Sequence, residues 1–333
     1  MRNFRSRVGV LVDARWNPAR WNRVGIAALV LLLGCASLLL GSLPRFSVYT
    51  YDPYGNFKTR FASWGAGPTQ LIPGQVAIDH NANVLIPDRL HGDVVMYDRY
   101  GNRKGVFGTG HLYKPFGIVV TSTGQILVSD PLRPDGAFIV RFDSTGVFLS
   151  QFNVQNQAST AWCPQGMALR SNGDLVVADC NGQVVDFDSL GNFRFKFGAG
   201  FLSCPIGVAI RAATGDTYVT DPCATLQIQG FDVNGVHKFG FGANGSGPGQ
   251  LNSPNAVGLA PNGNVLVADT NNARMQEFDV YGNFLHFIFG NLSGLGQLNN
   301  PIGIAFQTDG TIVVTDLGGG FCGGCNAPKP PPD

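Results

Sequence analysis

The stretch QLNSPNAVGLAPNGNVLVADTNNARMQEFDVYGNFLHFIFG, residues 250–290, holds one whole structural unit of this 333-residue chain. It alternates short apolar runs with Gly- and Asn-bearing turns, which predicts strands over 256–260, 265–268, 275–279 and 283–289. Asn262-Gly263 and Asp279-Val280-Tyr281-Gly282 mark the two hairpin turns, because Gly accepts the positive φ such turns require. A loop over 269–272 joins the middle strands. Four antiparallel strands in about 45 residues is the size of one β-propeller blade.

Three elements of this unit recur along the chain. The aromatic-Asp turn appears with Asp52, Asp98, Asp143, Asp188, Asp232 and Asp279, at separations of 46, 45, 45, 44 and 47 residues. An apolar strand ends in Asp88, Asp130, Asp179, Asp221, Asp269 and Asp316. Pro-x-Gly opens a strand at Pro115, Pro164, Pro205 and Pro301; Pro254-Asn255-Ala256 departs at the Gly, and Pro73-Gly74-Gln75 reads as a departure in spacing. The first turn copy has no paired strands before it, and the last strand-Asp copy has no turn after it. Residues 46–64 and 297–316 therefore combine into one blade shared between the two ends. Sharing a blade closes the ring and protects both edges. The expectation is an all-β, six-bladed propeller over 46–320.

The residues Gly247-Pro248-Gly249-Gln250-Leu251-Asn252-Ser253-Pro254, Val267-Ala268-Asp269-Thr270-Asn271-Asn272-Ala273-Arg274 and Phe278-Asp279 resemble an NHL repeat. The resemblance covers roughly residues 46–316 and is best in the fifth unit. It implies a propeller and leaves activity open, since propellers of this kind carry many functions.

Composition agrees. Charged residues make up 14% of the chain, and 45 glycines and 24 phenylalanines suit tight turns between aromatic strands. A net charge of +1 gives no field to gather nucleic acid, so no nucleic-acid partner is expected. Positive charge concentrates in residues 1–23, with six arginines against Asp13. Residues 24–43 carry no charge, and twenty helical residues span roughly 30 Å, the hydrocarbon thickness of a bilayer. The reading is a basic cytoplasmic N-terminus, one transmembrane helix acting as a signal anchor, and an extracytoplasmic propeller. A second reading stays open: Leu32-Leu33-Gly34-Cys35 resembles a lipobox, with Cys35 as the lipidated residue of a lipoprotein, or with the segment cleaved as a signal peptide.

Cys163 and Cys204 enter the first strands of two adjacent units, and Cys180 and Cys223 leave their second strands. In an up-and-down blade these points share a face, so Cys163–Cys180 and Cys204–Cys223 are the favoured disulfides outside the cytoplasm, with Cys180–Cys204 as the alternative. Cys322 and Cys325 form a C-x-x-C in a Gly- and Pro-rich tail, 321–333, read as disordered, with the two cysteines as a small tail disulfide or a free pair.

The strand-end aspartates repeat in every unit and read as structural acceptors for backbone N–H groups of the following loop. The NHL resemblance brings to mind lyases with a histidine-held zinc at the propeller centre. His80, His91, His111, His237 and His286 all lie outside the Pro-x-Gly segments, so no converging zinc site is expected. His80 and His237 are placed in hairpin turns. No cofactor, metal or catalytic residue is assigned. Candidate binding residues on the loop face are Arg89, His91, Lys114, Arg133, Asp135, Gln165, Asn255, Asn271 and Arg274. They suit a module that presents this face to a protein, peptide or glycan. The alternative is a metal-dependent lyase or lactone hydrolase, for which Gln165 and Asn255 are the candidate channel-entry ligands.

Overall fold

A computed structural model describes residues 46–61, 71–153, 162–289 and 296–318. They form six four-stranded antiparallel sheets, each a simple meander from inner to outer strand. The first five blades are continuous in sequence, over 77–107, 118–152, 164–197, 208–243 and 256–289. The sixth takes its inner strands, Pro301–Phe306 and Ile312–Asp316, from one end of the chain. Its outer strands, Ser47–Tyr51 and Phe57–Phe61, come from the other. Ser47 pairs with Asp316 and Tyr51 with Ile312, which zips the ring shut as the repeat order requires. The segments 1–45 and 319–333, including the apolar run, Cys35, Cys322 and Cys325, lie outside the described residues. Among the described residues, no helix is long and apolar enough to cross a membrane.

The repeat sequence explains how blades lock together. Each boundary holds its own apolar core. Between the fourth and fifth blades, Tyr218, Ile228 and Phe241 pack on Val265, Val267 and Phe278. The last Phe of one outer strand seats on the turn Gly of the next blade. A Cβ at Gly282 would lie 2.4 Å from the Phe241 ring, and Gly101, Gly146, Gly191 and Gly235 stand in the same relation to Phe61, Phe107, Phe152 and Phe197. Gly282 also has φ +88°, so this position demands Gly for both conformation and space.

Near the axis, hydrogen bonds run from blade to blade. Ser129 Oγ donates to the Gln165 carbonyl at 2.7 Å and Thr270 Oγ1 to the Pro301 carbonyl at 2.7 Å. Thr315 Oγ1 reaches the Gly74 carbonyl at 3.3 Å, across the closure. The Gln75 and Gly166 N–H groups donate to the Phe116 and Ile206 carbonyls, both at 2.8 Å. This proximity explains the Pro-x-Gly glycine: a Cβ at Gly117 would stand 2.4 Å from the Gln165 carbonyl oxygen.

One sequence expectation is corrected here. Pro73 bridges Asp88 as Pro164 pairs with Asp179 and Pro301 with Asp316. The first unit therefore keeps the spacing and departs in residue: Gln75 occupies the glycine position.

Both favoured disulfides are present, Cys163–Cys180 with Cα atoms 5.4 Å apart and Cys204–Cys223 at 5.7 Å. Each closes a loop of under twenty residues within one blade, a constraint of about 3 kcal/mol on the unfolded chain. Two such bonds fit an oxidising compartment.

Candidate functional site

The strand-end aspartates gather on one face of the ring, and all six are almost fully buried. Each clamps the segment that enters the first strand of its own blade. Asp130 accepts the N–H groups of Tyr113 and Lys114 at 2.6 and 2.9 Å. Asp316 accepts those of Asn299 and Asn300, and Asp88 that of Ile72. Contacts to the following loop also occur, as from Leu90 to Asp88 and Gly318 to Asp316. The expectation of a following-loop acceptor thus captures the lesser half of the role. Burial pushes the carboxyls of Asp130 and Asp316 upward in pKa, while the backbone N–H groups pull them back. On the opposite face the turn aspartates are only partly covered. At Asp279 the Asn283 side chain and backbone N–H groups hold the carboxyl below its ordinary value.

Inside the ring, the six innermost strands enclose a channel of roughly 330 Å³. Its lining residues carry mostly aliphatic side chains, among them Val119, Met167, Leu169, Val257 and Ile304, with Phe306 adding an aromatic ring, while backbone polar groups and Gln75 supply much of the surface left open. Gln75 is the lining residue with a polar side chain, and no His, Cys, Asp or Glu lines the channel among the described residues. A Cβ on Gly166 would fall 2.6 Å from Gln75 Nε2, so the Gln75 side chain lies across the axis against the third blade.

The nine loop-face candidates separate by what they touch. Arg274 is buried and has four partners: its Nε donates to Asp269 at 2.7 Å, and its Nη atoms donate to the carbonyls of Ser246, Gly247 and Gln250. It braces the loop and is not open to a ligand. Arg133 is held by Asp135, by the His111 carbonyl and by Gln151, over the Phe138 ring. Asn255 is buried, with Nδ2 donating to Thr270 Oγ1. Gln165 Nε2 lies 3.2 Å from Cys163 Sγ. Those last two flank the channel entrance without converging on a common point that the structure identifies. Lys114, Asp135, Asn271 and His91 are exposed. The Lys114 ammonium sits over the Tyr113 ring, and His91 Nδ1 is 2.6 Å from Asp88 Oδ2.

Arg89 differs from the rest. Its guanidinium lies 5.5 Å from the Phe116 ring centroid and makes no side-chain hydrogen bond or ion pair among the described residues, and burial lowers its pKa. Asp93, opposite Asp88 on the adjoining strand, is buried with Oδ1 unpartnered among the described residues; burial, then Asp88, raises its pKa.

Other groups sit elsewhere. His237 opens an outer strand, His237–Ala243, rather than a turn, and stacks on Phe201 at 4.0 Å. Cys204, Asp221 and Cys223 cluster closely enough for a metal, but the two sulfurs are joined to each other and Asp221 holds backbone N–H groups. Sequence reading missed Gln75 and the exposed Tyr113. It also missed a buried charge network in the third blade, where Arg170 meets Asp186 at 2.9 Å and Arg194 meets Asp174.

Residues 251–278 match the family model for the NHL repeat. The chain is 32% identical over 149 residues to Protein brain tumor of Drosophila melanogaster, an overlap of 42% of this chain and 14% of that protein's length. Among solved structures, virginiamycin B lyase of Staphylococcus aureus with quinupristin superposes with TM-score 0.56 at 11% identity, over 82% of this chain and 99% of that one. A gluconolactonase of Xanthomonas campestris gives TM-score 0.57 at 13% identity, over 74% and 86%. At these identities the likeness to both enzymes is one of fold.

Proposed function

The chain is an NHL-repeat six-bladed β-propeller, and from that premise we propose that it is a non-catalytic binding module. It presents its loop face to a protein, peptide or glycan outside the cytoplasm, tethered to the membrane through residues 24–43. The observation that carries this reading is the lining of the channel. A lactone hydrolase or lyase on this fold would need ligands for a hard cation or a general base at the channel entrance. Among the described residues the channel walls bring no carboxylate or imidazole, the amides of Gln75, Gln165 and Asn255 at its entrance are neutral, and the six face aspartates are already engaged as backbone clamps. What remains accessible on that face is a mixed set of exposed polar, aromatic and charged groups, which suits recognition. The two disulfides support the extracytoplasmic placement.

Elemental analysis of the purified full chain separates this reading from its alternative. The expected result is no divalent ion at one per chain. A stoichiometric ion that disappears in Asn255→Ala or Gln165→Ala would replace the module with a metal-dependent enzyme.

A further inference from the structure

The six repeats provide an internal control. A position that serves only the fold should look alike in all six blades, so a departure confined to one blade asks for another reason. At the glycine position of Pro-x-Gly the blades carry Gln75, Gly117, Gly166, Gly207, Ala256 and Gly303. Directly after the clamp aspartate they carry Arg89, Pro131, Cys180, Pro222, Thr270 and Leu317. The first blade alone places a long polar side chain at one of these positions and a charge at the other.

Both departures fall beside the mouth of the channel. The Gln75 side chain enters the channel, and its backbone N–H donates to the Phe116 carbonyl. The ring of that same Phe116 carries the Arg89 guanidinium. A half-buried guanidinium has given up part of its hydration, and Phe116 offers only a quadrupole in return. Among the described residues its five donors meet no carboxylate: Asp88 is held by backbone N–H groups and His91, Asp130 by the N–H groups of Tyr113 and Lys114, Asp135 by Arg133, and Asp93, though its Oδ1 is unpartnered, makes no ion pair with Arg89. An arginine kept in this state costs stability and brings the fold nothing visible.

We propose that Arg89 forms an anchor point for a carboxylate group of the ligand on the loop face, beside the channel mouth. The planar guanidinium pairs with a carboxylate through two parallel N–H···O bonds. One guanidinium balances one monoanion. A phosphate dianion would ask for more positive charge than one guanidinium holds, and among the described residues no helix N-terminus stands near to add it. The proposal rests on the loop-face reading and narrows it to ligands that carry an accessible carboxylate.

The test follows the Arg89 side-chain Nε–Hε resonance of the full chain during titration with propionate, propionamide and inorganic phosphate. Propionate is expected to shift it saturably and propionamide to leave it still. Thermal-shift titration of Arg89→Gln is expected to show propionate affinity reduced at least about tenfold, with Arg89→Lys intermediate because it loses the bidentate geometry. Arg103→Gln, at an exposed outer-strand arginine, should bind as the parent does. Arg89 makes no hydrogen bond through its side chain, so Arg89→Gln should fold; should it not, Arg89→Lys carries the comparison. Equal response to propionamide, tighter binding of phosphate, or an unchanged affinity in both Arg89 variants would overturn the carboxylate anchor. Ligand binding by the loop face that survives Arg89→Gln would overturn it too, while leaving the binding module standing.

Discussion

Asp269→Ala is expected to destabilise the propeller by about 3–5 kcal/mol, the usual cost of stranding one partner of a buried ion pair. Asp269 Oδ1 accepts the Asn252 N–H at 2.7 Å, and Oδ2 accepts Arg274 Nε at 2.7 Å and Gln276 Nε2 at 2.9 Å. Asn272 Nδ2 donates to both oxygens. Removing the carboxylate leaves Arg274 buried against three carbonyls with no counter-charge. The same change at Asp130, whose partners are two backbone N–H groups, should cost less, about 1–3 kcal/mol. Urea unfolding of the two variants measures both. Equal losses at the two sites would mean that the arginine adds nothing to the clamp.

Asp93→Gln is expected to act in the opposite direction and stabilise by about 2 kcal/mol at neutral pH, the scale of a hydrogen bond to a charged group. Asp93 pairs with Asp88 across the strands, in the place Gln183 holds opposite Asp179. In the third blade Gln183 Nε2 donates to Asp179 at 2.8 Å. In the first blade a carboxylate faces a carboxylate, and burial together with Asp88 raises the Asp93 pKa. A raised folded-state pKa means that the folded chain binds this proton more tightly than the unfolded chain. Ionised Asp93 therefore destabilises above its folded pKa, and that penalty fades as pH falls toward the unfolded value of about 3.9. The difference between variant and parent should be largest at neutral pH and shrink on acidification. A gain independent of pH would indicate a packing effect instead.

Much of this architecture is legible in the sequence because a propeller writes each rule six times. The turn Asp, the strand-end Asp and the Pro-x-Gly opening give the blade count, and the missing half-units at the two ends give the closure. The Cys pairs follow once their blade positions are known. What stays hidden depends on neighbours that only the closed ring supplies. The clamp aspartates reach back some sixteen residues to the entering segment, as Asp130 does to Lys114, and local turn chemistry points forward instead. Arg274 lies in a loop motif that looks exposed, and nothing in the sequence reveals the three carbonyls that surround it. Gln75 hides in a register that is readable only from the Pro73–Asp88 bridge. Arg170 and Asp186 lie sixteen residues apart and meet only when the strands of the third blade pair. The membrane segment and the tail cysteines remain expectations from sequence.

The repeats also sort structure from function. The exposed tyrosines Tyr54, Tyr100 and Tyr281 stand at equivalent turn positions on the face opposite the clamps. The loop face holds both disulfides and the first-blade departures. Recognition by that face is the claim on which the rest depends. Its most direct test is binding of the full chain to peptide and glycan arrays, compared between two variants. Tyr113→Ala combined with Lys114→Glu alters the loop face, and Tyr54→Ala combined with Tyr281→Ala alters the opposite face. The account predicts that the first pair weakens every array hit at least about tenfold, a loss of about 1.4 kcal/mol, and that the second leaves them unchanged. Binding abolished by the tyrosine pair and untouched by the loop-face pair would contradict it.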